Sequence, residues 1–349
     1  MVSMKNIAQS CGVSIATVSK ALNDHSDISE RTKTKIINKA KELGYFPNAS
    51  ARALRTNKTY SLGVLFVDEA NSGLTHDYFN NIINSAKVAA EEKGYDITFL
   101  NSITNKFRMS YLEHCRYRGL EGVIIACIDF EDIKVQELLN SELPVVTIDY
   151  LFEGRDAILS NNTEGMSELV NYIYNQGHRK IAYIHGEDSL TTRARVQSFH
   201  GFLASKGINV PDEYIAESAY RDVASAGERT KELLSHPNPP TCIIYPDDFS
   251  SMGGMNVIKE KGLKIPNDIS IAGYDGIVMA EQLEPRLTTI KQDAKQIGRE
   301  AAEKLIRSIE HPQDVTGGRT IVDSRLCYYA IKSNFKGSPH FVHGLFIER

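Results

Sequence analysis

From residue 61 onward the chain is dominated by short, almost uninterrupted apolar runs, and these constrain the fold more than any other feature: LGVLFV (62–67), DITFL (96–100), GVIIACI (122–128), PVVTID (144–149), KIAYIHG (180–186), TCIIYP (241–246) and DISIAGYD (268–275). A strand with one face in water alternates apolar and polar residues. A run that is apolar throughout is covered on both faces, as in a parallel sheet flanked by helices. A helical segment follows each run, so βαβ units are expected. The series also repeats: a strand, a helix ending in EEKGYDI and strands leading to VVTID are echoed by KIAYIHG, a helix ending in ASKGI and strands leading to IAGYD. Two doubly wound parallel-sheet lobes accommodate this repeat better than one sheet of that width.

Residues 1–60 carry a different period. Met4, Ile7, Ala8 and Cys11 recur at three- and four-residue steps before Gly12. Ser14 can cap a second segment, IATVSKALN, which places Val18, Ala21 and Leu22 on one face, and Ser29 can cap a third, ERTKTKIINKAKELGY, with Ile36, Ala40 and Leu43 as its stripe ahead of Gly44. Three short helices make an all-α mini-domain. The exposed side of the second helix presents Ile15, Ala16, Thr17, Ser19 and Lys20. In a helix-turn-helix reader this part enters the major groove, where short hydroxyls contact phosphates, an ammonium donates to guanine O6 and N7, and apolar side chains meet a thymine methyl. A three-helix cap with solvated lysines satisfies the same spacing. After Phe46, Pro47 and Asn48, the stretch NASARALRTNKT offers one bulky apolar residue, Leu54, and is expected to be helical only when supported. A wedge between base steps needs such a side chain, and packing on the rest of the protein would use it as well.

Charge separates the two regions. Residues 1–60 hold ten Lys and Arg against four Asp and Glu, which leaves thirty against forty elsewhere in a chain of net charge −4. A basic head and an acidic body suit phosphate contact at one end only. The five cysteines (Cys11, Cys115, Cys127, Cys242, Cys327) are odd in number, far apart and without a CxxC pair, which argues for thiols packed as small apolar groups rather than disulfides or a zinc site. His340 and His343 lack a third ligand. The first residues, MVSMKNIAQSCGVS, contain no apolar run long enough for a signal peptide or a membrane span, so a cytoplasmic location is expected. With no GxSxG, HExxH, P-loop or GxGxxG after a strand, nothing proposes catalysis, and neither metal nor cofactor is expected.

The segment MKNIAQSCGVSIATVSKALN, followed by ISERTKTKI, KELGYFPNASARALR and SLGVLFV, closely resembles the lactose repressor/galactose repressor (LacI/GalR) family. Similar motifs continue in GHRKIAYIHG (177–186), TRARVQSF (192–199), YPDDFSSMGGMNVIKEKGLKIPNDISIAGYDG (245–276) and PRLTTIKQD (285–293), which carries the resemblance to about residue 333. It implies a helix-turn-helix DNA-binding domain at 1–46, a hinge helix or linker at 47–60, and an effector-binding and dimerisation domain at 61–333. That domain is expected to be periplasmic-binding-protein-like, with one lobe at about 61–159 and 291–320 and the other at about 160–290 and 321–333. Residues 334–349 depart from the family's usual ending and are read as an extension.

On this resemblance Ile15, Ala16 and Lys20 match base-reading positions, Thr17, Ser19, Ser29 and Asn48 phosphate contacts, and Leu54 a minor-groove wedge. In the body, Asp149, Arg195, Asp247 and Asp275, with Tyr78 or Phe79 as an aromatic wall, match an effector cleft. Such a set suits a polyhydroxylated ligand, because carboxylate oxygens accept from hydroxyls and a guanidinium donates. The resemblance therefore implies a homodimer or tetramer on palindromic operator DNA, repressing a carbohydrate-utilisation operon under control of a sugar or sugar phosphate. A purine or phosphoprotein effector, or a cytoplasmic carbohydrate-binding protein without a DNA role, are the alternatives. Asp149 and Asp275 end strands, where an aspartate can equally cap the next turn. Of the adjacent Asp247 and Asp248, one at most is expected to face the cleft. Asp247 stands where the family usually has Asn, and Asn161 where Asp is common.

Overall fold

The computed structural model describes residues 2–46, 53, 58–67, 73–101, 103–104, 107–314 and 317–332; Asn48, Leu54 and the extension at 334–349 lie outside them. The chain divides into two units, Met1–Thr59 and Tyr60–Arg349.

In the first unit the three expected helices are α1 (Met4–Cys11), α2 (Ile15–Leu22) and α3 (Glu30–Glu42). Their ends follow from local chemistry. Gly12 adopts φ 70° to turn the chain out of α1, Ser14 Oγ accepts the Thr17 N–H at 3.0 Å, and Ser29 Oγ accepts the Thr32 N–H at 3.3 Å. Each serine satisfies a backbone donor that the first turn of a helix leaves open. The apolar stripes meet in a small core of Ile7, Ala8, Cys11, Val18, Ala21, Ile36 and Ala40.

The second unit contains two six-stranded sheets. The first has the order β13-β7-β6-β5-β1-β2, with β1 Ser61–Phe66, β2 Asp96–Phe99, β5 Gly122–Ala126, β6 Val145–Ile148, β7 Asp156–Ser160 and β13 Arg319–Val322, and all its pairings are parallel. The second has the order β14-β12-β11-β10-β8-β9, with β8 Ile181–His185, β9 Ile215–Glu217, β10 Cys242–Ile244, β11 Ser270–Asp275, β12 Thr288–Gln292 and β14 Ser324–Cys327. Here β14 alone runs antiparallel, against β12. A short hairpin, β3 Ile103–Thr104 with β4 Phe107–Arg108, stands apart. All seven apolar runs form strands, and β5, β6 and β10 are buried throughout.

Helices α4 (Asp77–Glu92), α5 (Tyr111–Arg118), α6 (Ile133–Leu139), α7 (Asn162–Asn175), α8 (Leu190–Ser205), α9 (Val223–Ser235), α10 (Ser251–Glu260), α11 (Val278–Gln282) and α12 (Ala294–Glu310) complete the βα alternation. The chain passes between the sheets three times: after β7, after β12 and after β13. The second and third passages fall about two residues beyond the positions expected from the sequence. Four buried clusters, one on each face of each sheet, form the core. In the first sheet's lobe α4 and α12 lie against each other so closely that a Cβ at Gly298 would stand 2.1 Å from the Ile82 carbonyl oxygen. Backbone cannot yield as a side-chain tip can, so Gly298→Ala is expected to cost about 1–3 kcal/mol by overpacking, read as a lower urea midpoint at unchanged slope.

Candidate effector cleft and nucleic-acid surface

The carboxyl ends of the parallel strands converge on one polar cluster. Asp149 follows β6 in one lobe, Asp275 ends β11 in the other, and Gln292 ends β12 at a passage between them. Tyr78, in the first turn of α4, lies between: its hydroxyl is 3.3 Å from both Asp149 Oδ2 and Gln292 Oε1, and Gln292 Nε2 donates to Asp275 Oδ1 at 2.7 Å. The relay Asp149–Tyr78–Gln292–Asp275 thus links the two sheets. Both aspartates hold positive φ, 56° and 97°. L-residues avoid that conformation, and it persists only where the surroundings impose it. Here Asp149 Oδ1 accepts the Ser160 N–H at 2.9 Å while Gln292 grips Asp275.

Arg195, on α8, supplies the cluster's buried cation, with 3% of its surface exposed. Its Nε donates to Asn162 Oδ1 at 2.8 Å, Nη1 to the Pro246 carbonyl at 3.2 Å, and Nη2 stands 4.0 Å from Asp275 Oδ1. The guanidinium lies 3.5 Å over the Tyr274 ring. Burial opposes its charge, yet Tyr274, Tyr220 and Asp275 around it outweigh that and raise its pKa. Burial pushes the Asp275 carboxyl up to about 7 against the pull of Arg195, and it raises Asp149 against the Ser160 N–H and Arg195. Tyr78 is also raised, by burial and then by the charges of Asp149 and Asp275. The carboxylates have lost water and gained few donors, which is the condition under which a ligand's hydroxyls are bound well.

The remaining cleft candidates separate. Phe79 is half-buried and packs edge-on to His76 and Tyr78 and against Phe66, so of the two aromatic candidates Tyr78 makes the relay. Asp247 is buried beside the cluster, but its oxygens are already engaged: Oδ2 accepts from the Arg221 N–H at 2.9 Å and the Ser250 hydroxyl at 2.6 Å, and Oδ1 from the Ser250 N–H at 2.8 Å. It braces two loops. Asp248, fully buried, accepts from the Ile277 N–H and the Thr289 hydroxyl. Asn161 caps α7 and donates to Asp323; the asparagine that reaches Arg195 is its neighbour Asn162. Sequence reasoning missed Asn162, Tyr220, Tyr274 and Gln292. Gln292 and Tyr274 lie inside the motifs PRLTTIKQD and IAGYDG, where nothing in the local sequence sets them apart.

On the head, Ile15 is 50% exposed although it opens an amphipathic helix, and Ala16 and Lys20 are exposed with it. Thr17 and Ser19 are half-buried, and the Thr17 hydroxyl is 2.9 Å from Ser14 Oγ. Ser29 is exposed and caps α3. The Lys20 ammonium is held by the Asp27 carboxylate. An apolar side chain left in water beside a cation and hydroxyls on the second helix of a helix-turn-helix is the composition of a major-groove surface. Of the five cysteines, Cys11, Cys115 and Cys242 are buried, while Cys127 and Cys327 are only half-buried. Among the described residues no helix is long and apolar enough to cross a membrane, and no group of side chains could hold a metal ion.

A helix-turn-helix head followed by a body of two parallel-sheet lobes with three passages defines a ligand-responsive DNA-binding regulator. Family comparison makes this specific: residues 59–332 match the periplasmic binding proteins and sugar binding domain of the LacI family, and residues 3–48 match the bacterial regulatory proteins of the lacI family. The chain belongs to the LacI family. It is similar to the probable HTH-type transcriptional repressor ExuR of Bacillus subtilis (strain 168), at 32% identity over 316 residues, 90% of this chain and 93% of that protein. It is also similar to the ribose operon repressor of Escherichia coli (strain K12), at 29% identity over 318 residues, 89% of this chain and 94% of that one. Among solved structures, the lac repressor dimer bound to operator and the anti-inducer ONPF superposes with a TM-score of 0.78 at 25% identity, covering 94% of this chain and 98% of that chain. This protein is a DNA-binding transcription regulator.

Proposed function

We propose that the protein is a cytoplasmic, dimeric repressor of a carbohydrate-utilisation operon, without catalytic activity, whose operator affinity is set by a sugar bound between the body's lobes. The relay Asp149–Tyr78–Gln292–Asp275 across the two sheets carries this reading, because a ligand hydroxyl entering it touches both lobes at once. Tyr78, Asp149, Arg195 and Asp275 bind the sugar, Phe79 lines the site and Asp247 braces it. A sugar is favoured by the sugar-binding family of the body and by a relative named for a ribose operon. In the head, Ile15, Ala16 and Lys20 read bases, and Thr17, Ser19, Ser29 and Asn48 meet phosphates. Leu54 acts as the minor-groove wedge.

The coupling is a linkage. A ligand that favours one lobe arrangement shifts operator affinity only as far as its own affinity differs between arrangements, and the operator acts back on the ligand equally. The test is a titration of a selected palindromic operator with and without a panel of sugars identified by thermal shift. A change of at least tenfold in operator affinity with one of them is expected, and identical affinity with all of them removes the sensor part. Lys20→Ala is expected to relax base preference at a cost of about 1–3 kcal/mol per half-site, read by competition between operator variants.

A further inference from the structure

The loop between α2 and α3 is tied to the last turn of α2 by an ordered set of bonds. Asn23 Nδ2 donates to the Ser19 carbonyl at 2.5 Å, the His25 N–H to the Lys20 carbonyl at 3.0 Å, and the Ile28 N–H to the His25 carbonyl at 3.4 Å. Ile28 packs against the head core and Ser29 then caps α3. Asp27 therefore sits between two fixed points, and its carboxylate meets the Lys20 ammonium with both side chains about half exposed, 53% and 47%. Among the described residues of the head, the other acidic side chains ion-pair lysines of α3: Asp24 and Glu30 hold Lys33, and Glu42 holds Lys39. Asp27 is the one that answers a side chain on the exposed face of α2.

We infer that Asp27 is a specificity-determining residue of the head: it occupies the Lys20 ammonium on the DNA-facing surface and yields it to a base edge rather than to phosphate. This rests on the reading of Lys20 as a base reader. An exposed ion pair is weak, but its place on that surface gives it leverage. The sequence-independent part of DNA binding is the release of counterions as cations neutralise phosphates. A lysine already neutralised by a neighbouring carboxylate contributes little to that release, and the carboxylate itself repels the backbone. On a matching base pair, O6 and N7 offer the ammonium two acceptors in a fixed place, which offsets the loss of Asp27. Random duplex offers no such replacement, so the pair suppresses non-specific binding more than specific binding. The hydrogen bond from Lys20 lowers the Asp27 pKa, which keeps the carboxylate charged at neutral pH.

The test uses the full chain. Dissociation constants for a selected operator and a scrambled duplex are measured at two salt concentrations for the parent, Asp27→Asn, Lys20→Ala and the double variant, with Glu42→Gln as a charge-matched control. Asp27→Asn is expected to tighten scrambled-duplex binding about threefold and to steepen its log-log salt slope by up to about 0.9, with a smaller gain on operator. The gain should vanish in the Lys20→Ala background and be absent from Glu42→Gln. An equal gain on both duplexes, a gain that survives Lys20→Ala, or no gain overturns the role of Asp27. If Lys20→Ala leaves base preference intact, the base-reader reading fails first and the inference falls with it.

Discussion

Arg195→Ala is expected to abolish the effector response, with sugar affinity reduced on the order of a hundredfold or more, while leaving the head able to bind DNA. The side chain is buried, spans Asn162, Pro246 and Tyr274, and is the cation that Asp275 and Asp149 face. Removing one partner from a buried charged set leaves the rest unpaired, at a cost of about 3–5 kcal/mol. At about 1.4 kcal/mol per factor of ten, that is ample to remove measurable binding. Some of this cost falls on the fold of the second lobe, so Arg195→Lys is the sharper variant. An ammonium cannot donate in fixed directions to Asn162 Oδ1 and the Pro246 carbonyl while lying flat on Tyr274. The lysine variant should remain folded by its thermal transition, bind operator as the parent does, and fail to respond to the sugar. A lysine variant with the parent's response would show that charge alone is needed and that the guanidinium geometry is not.

The lobes were legible because a strand buried on both faces is apolar without interruption, as in GVIIA and IAYIH. Among the strands outside the seven apolar runs, TTIKQ, RTIV and SRLC carry the opposite signal: they mix polar residues into short segments, two of them at sheet edges. The head was legible for the same kind of reason, since its stripes and both serine caps are local. The cleft was harder. Asp149, Arg195 and Asp275 are charged and drew notice, but neutral partners such as Gln292, Asn162 and Tyr274 declare themselves only when strands far apart in sequence end side by side. Asp247 carries a structural use that its charge alone does not announce. Its carboxylate accepts from the Arg221 and Ser250 N–H groups and the Ser250 hydroxyl, a use that no spacing in YPDDFSS reveals.

The body without ligand is expected to lose stability as pH rises from about 4 to about 7, and Asp275→Asn is expected to flatten that slope. The folded-state pKa of Asp275 is raised from 3.8 to about 7, chiefly by burial. Between those values the folded chain binds a proton that the unfolded chain has released. Stability therefore falls with pH across the window and is level above it. A shift of that size corresponds to about 4 kcal/mol as an upper bound, and Asp149 and Asp248, raised in the same direction, add to the trend in the parent and in Asp275→Asn alike. Urea unfolding of both proteins at pH 5, 6, 7 and 8 reads the difference, and parallel slopes would show that Asp275 does not titrate in this window. Effector binding should have the opposite sign. Sugar hydroxyls donate to the ionised carboxylate, so affinity should rise from pH 5.5 to about 7, with proton release on binding measurable by calorimetry in buffers of different ionisation enthalpy. The burial that weakens the empty cleft near neutral pH leaves Asp275 short of donors, and supplying them is what a polyhydroxylated ligand does.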